Sequence, residues 1–429
     1  MSDLNRRTFL ASAGAGAAAL GLASASVARD SDKLRIAVIG VRGRGSSHIS
    51  AFCENPKTTV FALCDIDERE FKSNAKFVEE KTGKAPLCVQ DLRRIFDDKT
   101  IDAVSIATPN HWHALATVWA CQAGKDVYVE KPVSHNFVEG RKMVEAARKY
   151  GRIVQTGTQS RSSKGIAEAV EFLRSGKLGE IYMAKGLCYK PRGSIGHKPD
   201  GTPPPGVDYN LWLGPAPERP FNPNRFHYEW HWNWDYGNGD LGNQGIHQMD
   251  IARWGINKHD WPAKIESSGG RYGYKDDGET PNTQISTYRY PDCELVFEVR
   301  GLSTNDELGV KVGNLFYGTN GILAINGDKW STQLGKAGGK LEAGPSGSGG
   351  GDHFGNFVEA VLSRDPKKLN ADIEQGHRSS ALCHLGNIAY RTGRALDFDG
   401  QAENFGSDAK ANALLTREYR SPFRMPDQV

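Results

Sequence analysis

Between residues 33 and 156 the chain alternates short, unbroken apolar runs with longer stretches of mixed polarity. The runs 34–39, 60–64, 103–107, 127–129 and 153–154 are rich in β-branched residues and predict strands, whereas 48–54, 69–82, 113–123 and 137–150 have helical composition. Strands that are apolar on both faces and separated by helices make a parallel sheet covered on both sides. Such sheets bind ligands beyond the carboxyl ends of their strands, so chemistry is sought there.

After residue 156 the regular alternation stops. Runs 181–187, 285–290, 295–299 and 321–325 predict strands, the middle two joined by a turn at Pro291-Asp292. A helix through Glu168, Phe172 and Leu173 precedes them, and another spans 374–390. Residues 190–223 are rich in Pro and Gly and predict a long surface excursion. Residues 336–351 hold seven glycines in sixteen positions and predict a mobile loop.

Of the 429 residues 38% are hydrophobic and 24% charged, enough apolar material for two or three domain cores. Lys+Arg minus Asp+Glu is 54 − 51 = +3, too even for a nucleic-acid partner bound by counterion release. No internal run of 18 apolar residues predicts a membrane span. Seven cysteines scattered without CxxC spacing argue against a disulfide framework or a zinc site, so no metal is expected. Residues 1–28 change the picture. Arg6-Arg7, an Ala/Gly-rich stretch to about residue 22 and small residues fit for cleavage predict a twin-arginine export signal and a periplasmic location. That route carries folded proteins, which can take a tightly bound cofactor with them.

The candidate chemistry lies at strand ends. Gly40-Val41-Arg42-Gly43-Arg44-Gly45 follows the first strand and leads into a helix, where free amides can hold a pyrophosphate. Gly40 and Gly45 fit the first and third glycines of GxGxxG, but Arg42 stands at the second and Gly43 comes one place later. Asp65 ends the second strand, where a carboxylate accepts the ribose hydroxyls of NAD and repels the extra phosphate of NADP. Arg42 and Arg44 keep NADP as the alternative. Thr108, Pro109, Asn110 and His113 follow the fourth strand on the nicotinamide side, with His111 and His113 also suited to capping a helix. Glu130-Lys131-Pro132 follows the fifth strand, where a lysine can bind a substrate hydroxyl. Residues 228–236 carry five aromatics in nine positions, Trp234 and Tyr236 among them. They suit either a sugar ring or a packed aromatic corner.

Taken together these segments resemble the glucose–fructose oxidoreductase, inositol dehydrogenase and rhizopine-catabolism family (Gfo/Idh/MocA). The resemblance rests on the glycine loop, Asp65, ATPNHWHA at 107–114, EKP at 130–132, the following 133–151 and GNQGIHQMD at 242–250. It implies a Rossmann dinucleotide-binding domain over 33–156. Beyond it, over 157–429, would lie an α+β domain whose open, mostly antiparallel sheet walls the substrate site and makes homo-oligomer contacts. It implies an NAD(P)-dependent oxidoreductase acting on a carbohydrate or polyol hydroxyl. The alternative is the NAD-dependent glycoside hydrolysis of some relatives, in which the sugar is oxidised, eliminated and reduced again. By position, Lys131 corresponds to the family's substrate-contacting lysine and His247 to its acid/base histidine. Asn243 stands where the family often has an Asp. An amide cannot raise the histidine's pKa as a carboxylate does, so Asp250, one helical turn on, is expected to share that role, with Asp240 as a weaker candidate.

Overall fold

The computed structural model describes residues 33–335, 338–345 and 350–429. The export signal expected over 1–28, and parts of the glycine-rich loop 336–351, lie outside the described residues. Strand β1 (Leu34–Ile39) points Ile36 and Val38 to one side and Ala37 and Ile39 to the other, as its period of two dictates, and all four are buried. One side packs on Phe52 of helix α1 (Arg44–Glu54). The other packs on Leu115 and Val118 of α2 (Asn110–Gln122) and Met143 of α3 (Phe137–Lys149). With β2 (Thr58–Cys64), β3 (Leu87–Val89), β4 (Ala103–Ile106), β5 (Asp126–Val129) and β6 (Val154–Thr156), β1 forms a six-stranded sheet in the order β3-β2-β1-β4-β5-β6. Every pair in it is parallel. The order reverses between β1 and β4, which opens a crevice above their carboxyl ends.

The second sheet has nine strands: β7 (Ile181–Cys188), β8 (Lys264–Gly270), β9 (Thr283–Arg289), β10 (Glu294–Arg300), β11 (Val312–Gly318), β12 (Gly321–Asn326), β13 (Lys329–Leu334), β14 (Glu342–Ala343) and β15 (Leu396–Asp397). Their order is β14-β13-β12-β11-β7-β10-β9-β8-β15. Only β7 and β10 pair in parallel, and the remaining pairs are antiparallel. Along β10 the alternation is clear: Leu295, Phe297 and Val299 face the core, while Glu298 and Arg300 face the other way. That core is filled by α4 (Lys164–Arg174), α5 (Gly245–Gly255) and α7 (Ile373–Thr392), through Leu173, Ile246, Met249, Leu382 and Leu385. The architecture is thus a Rossmann-like parallel sheet followed by an α+β domain with an open, mostly antiparallel sheet, as the sequence led us to expect.

Packing does not respect the order of the chain. Helix α6 (His353–Ser363) returns to the first sheet, where Phe357, Val358 and Val361 share a core with Ile36, Val38 and Tyr128. Phe423 and Met425 join the core on the opposite face. Among the described residues no helix is long and apolar enough to cross a membrane, and no group of His, Cys, Asp or Glu side chains is placed to hold a metal ion.

Candidate active site

Gly40 turns the chain off β1 with φ 81°, and a Cβ there would lie 2.8 Å from the carbonyl carbon of Ala107. A Cβ on Gly45 would meet the carbonyl oxygen of Gly40 at 1.9 Å, so the first turn of α1 rests directly on the strand end. No side chain caps α1 at Gly43, which leaves an open, electropositive helix start facing the crevice. The imperfect glycine spacing is explained here. Gly43, at φ 57°, takes the turn, and Arg42 points its half-exposed side chain outward to Glu70 at 3.4 Å.

Asp65 accepts the amide of Val41 at 2.8 Å on one oxygen and that of Asp67 at 3.0 Å on the other. Burial outweighs these bonds and pushes its carboxyl up to about 6. Asp67 is held by Arg69 through a bidentate pair. Both arginines of the loop are thus engaged by carboxylates, since Arg44 donates to Glu130 at 2.7 Å. A 2′-phosphate would meet Asp65, Asp67 and Glu70 with no free guanidinium on the loop, and the residues present fit NAD. Thr108 Oγ1, on the cavity wall, is buried without a protein partner, as expected of a group that serves a ligand.

Glu130 is the hub at the end of β5. Besides Arg44 it meets His48 Nε2 and Gln159 Nε2, each at 3.0 Å, and accepts the amide of Lys131 at 3.1 Å. Burial works against the carboxylate, but His48 and Arg44 hold its pKa well below the usual range. The next side chain, Lys131, donates from Nζ to the backbone carbonyl of Asn243 at 2.8 Å. Burial lowers its pKa, Glu130 opposes the change, and Arg44, Lys190 and Arg192 add to it. Asn243 lies one turn before His247, whose pKa burial pulls down to about 3, with the Lys131 charge next in importance. His247 is therefore a neutral imidazole beside an ammonium, and its Nδ1 is buried without a partner.

A cavity of about 400 Å3 joins the glycine loop, Asp65, Glu130, Lys131 and Asn243, and His247 stands behind its lining rather than on it. Gly40, Arg42, Gly43 and Arg44 line one end with Asp65, while Gly45 lies behind the loop. Thr108, Pro109, Asn110 and His113 line the middle, and Glu130, Lys131 and Asn243 the inner end. His113 has a structural task as well, its ring nitrogens lying 2.6 and 2.7 Å from the carbonyls of Pro132 and Thr108. The opposite wall comes from Leu211 and Trp212 and from Tyr228, Trp230 and His231.

Four sequence expectations are corrected. Tyr236 is wholly buried against Trp212 and His111, so it is an aromatic corner rather than a sugar platform. Trp234 lines a different, smaller cavity. Asp250 is fully buried, gripped by Arg161 at 2.8 Å and bonded by the hydroxyl of Ser379 at 2.6 Å, which leaves no carboxylate for substrate. Its charge does raise the His247 pKa, as expected, but burial and Lys131 outweigh it. Asp240 is likewise taken, by Arg192 at 2.6 and 3.0 Å. Sequence reasoning missed His231. Its Nδ1 lies 2.6 Å from the carbonyl of Tyr228, and its ring stacks on Trp230 at 3.6 Å between centroids. The signal was present in the aromatic run, but nothing in it told which members face the cleft.

A glycine-loop cleft at the switch point of a parallel sheet, with Lys131 at its inner end bonded to the segment that carries His247, defines a dinucleotide-dependent oxidoreductase fold. Two family descriptions match the chain: an oxidoreductase-family NAD-binding Rossmann fold over 34–158 and an oxidoreductase-family C-terminal alpha/beta domain over 192–425. The chain belongs to the Gfo/Idh/MocA oxidoreductase family. Over 158 residues it is 28% identical to inositol 2-dehydrogenase of Salmonella typhimurium, which is 36% of this chain and 46% of that protein. It is 31% identical over 157 residues to D-glucoside 3-dehydrogenase of Escherichia coli (36% and 43%). With glycosyl hydrolase family 109 protein 1 of Akkermansia muciniphila it shares 27% over 179 residues (40% and 37%). The match thus spans less than half of each of these relatives. The WlbA dehydrogenase of Bordetella pertussis, crystallised with NADH and UDP-GlcNAcA, has the same fold, with a TM-score of 0.64, 17% identity and coverage of 86% of this chain and 99% of that one.

Proposed function

We propose that the chain is an NAD-dependent oxidoreductase that moves a hydride between a hydroxyl-bearing carbon of a carbohydrate or polyol and the nicotinamide. The observation that carries this is the meeting of Lys131 with the segment that bears His247, at the inner end of a cleft that begins with a glycine loop and Asp65. NAD, when bound, supplies the hydride acceptor. Gly40, Gly43 and the open start of α1 would hold its pyrophosphate and Asp65 its ribose. A substrate hydroxyl beside Lys131 gains a hydrogen bond from the ammonium, which favours alkoxide character as the carbinol hydrogen leaves. Neutral His247 has one acceptor nitrogen to take the hydroxyl proton. Tyr228, Trp230 and His231 offer flat faces and polar edges to a sugar ring. The test is mass spectrometry of the nucleotide released on denaturation, followed by a panel of sugars and polyols scored for NADH formation. No NAD in the protein and no NADH from any panel member would overturn the reading.

A second reading, glycoside hydrolysis with recycled NAD, draws support from the family 109 relative and from the expected export signal, since a self-regenerating cofactor suits a compartment poor in free NAD. Release of aryl alcohol from aryl glycosides over many turnovers without added NAD would establish it. We also propose export by the twin-arginine route and a homo-oligomer. Arg6→Lys with Arg7→Lys should retain the protein in the cytoplasm, and light scattering should give more than one chain mass.

A further inference from the structure

A second cavity, of about 190 Å3, lies beyond a wall of the cleft. Asn238 forms that wall. Its Oδ1 accepts from Asn110 at 2.9 Å on the cleft side, and its Nδ2 donates to the carbonyl of His135 at 3.0 Å on the far side. None of the cleft groups discussed above lines this second space.

Its polar surface carries two arginines and two acids. Arg417 donates from Nη1 to Nδ1 of His135 and to the carbonyl of Asp235, both at 3.1 Å. His135 lies 2.9 Å from the carbonyl of Trp234 through Nε2, so it is a neutral imidazole with a fixed tautomer and balances no charge. Arg391 lies over the ring of Trp234, 5.2 Å from its centroid. Among the described residues neither guanidinium forms an ion pair. Two further groups are more than nine-tenths buried and lack a partner. They are Nδ2 of Asn136 (5% exposed) and Nδ1 of His384 (3% exposed), whose other ring nitrogen meets Ser134 at 3.1 Å. Buried polar atoms are almost always satisfied, so the unpaired amide of Asn136 and ring nitrogen of His384 around one cavity mark a place for a ligand.

The charges set its kind. Of the two acids on the lining, Asp235 is paired with Arg219, and Glu418 stands exposed at the rim. On the lining itself two arginines without an ion pair face one unpaired carboxylate, while behind it the buried Glu139 acts on Arg417, and Asp235 and Glu279 act on Arg391. What the two guanidiniums retain is N–H groups without an acceptor. The other walls, Pro217, Ile388, Leu414 and the Trp234 face, are apolar. We propose that this cavity binds a small monoanionic carboxylate, its oxygens on Arg417 and Arg391 and its carbon chain against Trp234. A planar guanidinium fork matches a carboxylate better than any neutral group does. This site is separate from the cleft and does not depend on the reaction assigned there.

Calorimetry and thermal shift on the full-length protein test it, with butyrate as the probe and butyramide as its uncharged counterpart, neither of them a sugar or polyol that the cleft would take. Butyrate should bind one per chain and raise the melting temperature, and butyramide should do neither. Arg417→Gln should weaken butyrate at least tenfold, while Lys131→Ala, in the cleft, should leave it unchanged. Should Arg417→Gln fail to fold, Arg391→Gln at the exposed rim should give the same loss. Equal binding of butyramide, unchanged binding in both arginine variants, tighter binding of inorganic phosphate, or no saturable heat up to about 10 mM butyrate would each overturn the proposal.

Discussion

The ammonium of Lys131 donates to the backbone carbonyl of Asn243, 2.8 Å away and 112 residues further along the chain. That bond ties the end of β5 to the approach of α5, which carries His247, so the Lys131 charge acts on the imidazole. Lys131→Ala removes the charge without touching the glycine loop or Asp65. Turnover should fall by about 10²–10⁴-fold while NADH affinity stays within a few-fold. Steady-state rates and NADH fluorescence titration read the two effects separately, and parallel loss of both would count against the role.

The side chain of Asn243 plays no part in that bond, so it can be changed. Asn243→Asp places a carboxylate one turn before His247, and an opposite charge favours the protonated imidazole. The histidine pKa should therefore rise from about 3, by about 1–3. The acidic limb of the kcat/KM profile should move to higher pH in step, and an unmoved profile would show that His247 does not govern it.

Asp65 must be ionised to accept ribose hydroxyls, and burial holds its carboxyl at about 6. NAD affinity should thus decline as pH falls through 6 and be steady above it. Asp65→Asn should weaken NAD at pH 8 and flatten the pH dependence, as measured by the dissociation constant across the range.

Gly45→Ala puts a methyl group 1.9 Å from the carbonyl of Gly40, a backbone atom that cannot step aside. The start of α1 must lift from the strand. A destabilisation of about 1–3 kcal/mol is expected, with loss of NADH binding, by urea denaturation and fluorescence.

Arg161 and Asp250 form a buried pair, 7% and 1% exposed at their side chains. Removing Arg161 leaves Asp250 with Arg253, 3.9 Å away, and Ser379 only, so Arg161→Ala should cost about 1–3 kcal/mol at pH 7. In the wild type Arg161, Arg253 and Ser379 outweigh burial and keep the Asp250 pKa low, so its contribution is present above the unfolded pKa and lost as pH falls through the folded one. In the variant the largest of these supports is gone, so the deficit should shrink as the solution is made more acid. Denaturant titrations at several pH values measure it.

Much of this was legible in the sequence where the signal is local. Unbroken apolar runs marked β1, β2, β4 and β5 because both their faces are buried, and the strand-end motifs at Gly40, Asp65 and Lys131 fell on one cleft. Strand β8 was missed because, of KIESSGG, Ile265 alone is buried, and a half-solvated strand has no apolar run. Strand β3 is three residues long at the sheet edge. The aromatic run failed for a different reason. A 3₁₀ segment, His227–Trp232, turns Tyr228, Trp230 and His231 to the cleft, and the chain then carries Trp234 and Tyr236 behind it. Helical spacing correctly put Asp250 one turn from His247, but the guanidinium that claims it comes from 89 residues earlier, beyond the reach of any local pattern.

The wall facing the glycine loop is built by residues 211–212 and 227–231, which come after the whole first sheet. A fragment ending at residue 158 would therefore lose both this wall and the core that α6, Phe423 and Met425 build on the first sheet. On the proposed function, exchanging that roof between homologues should change which substrate is turned over while the redox currency stays the same.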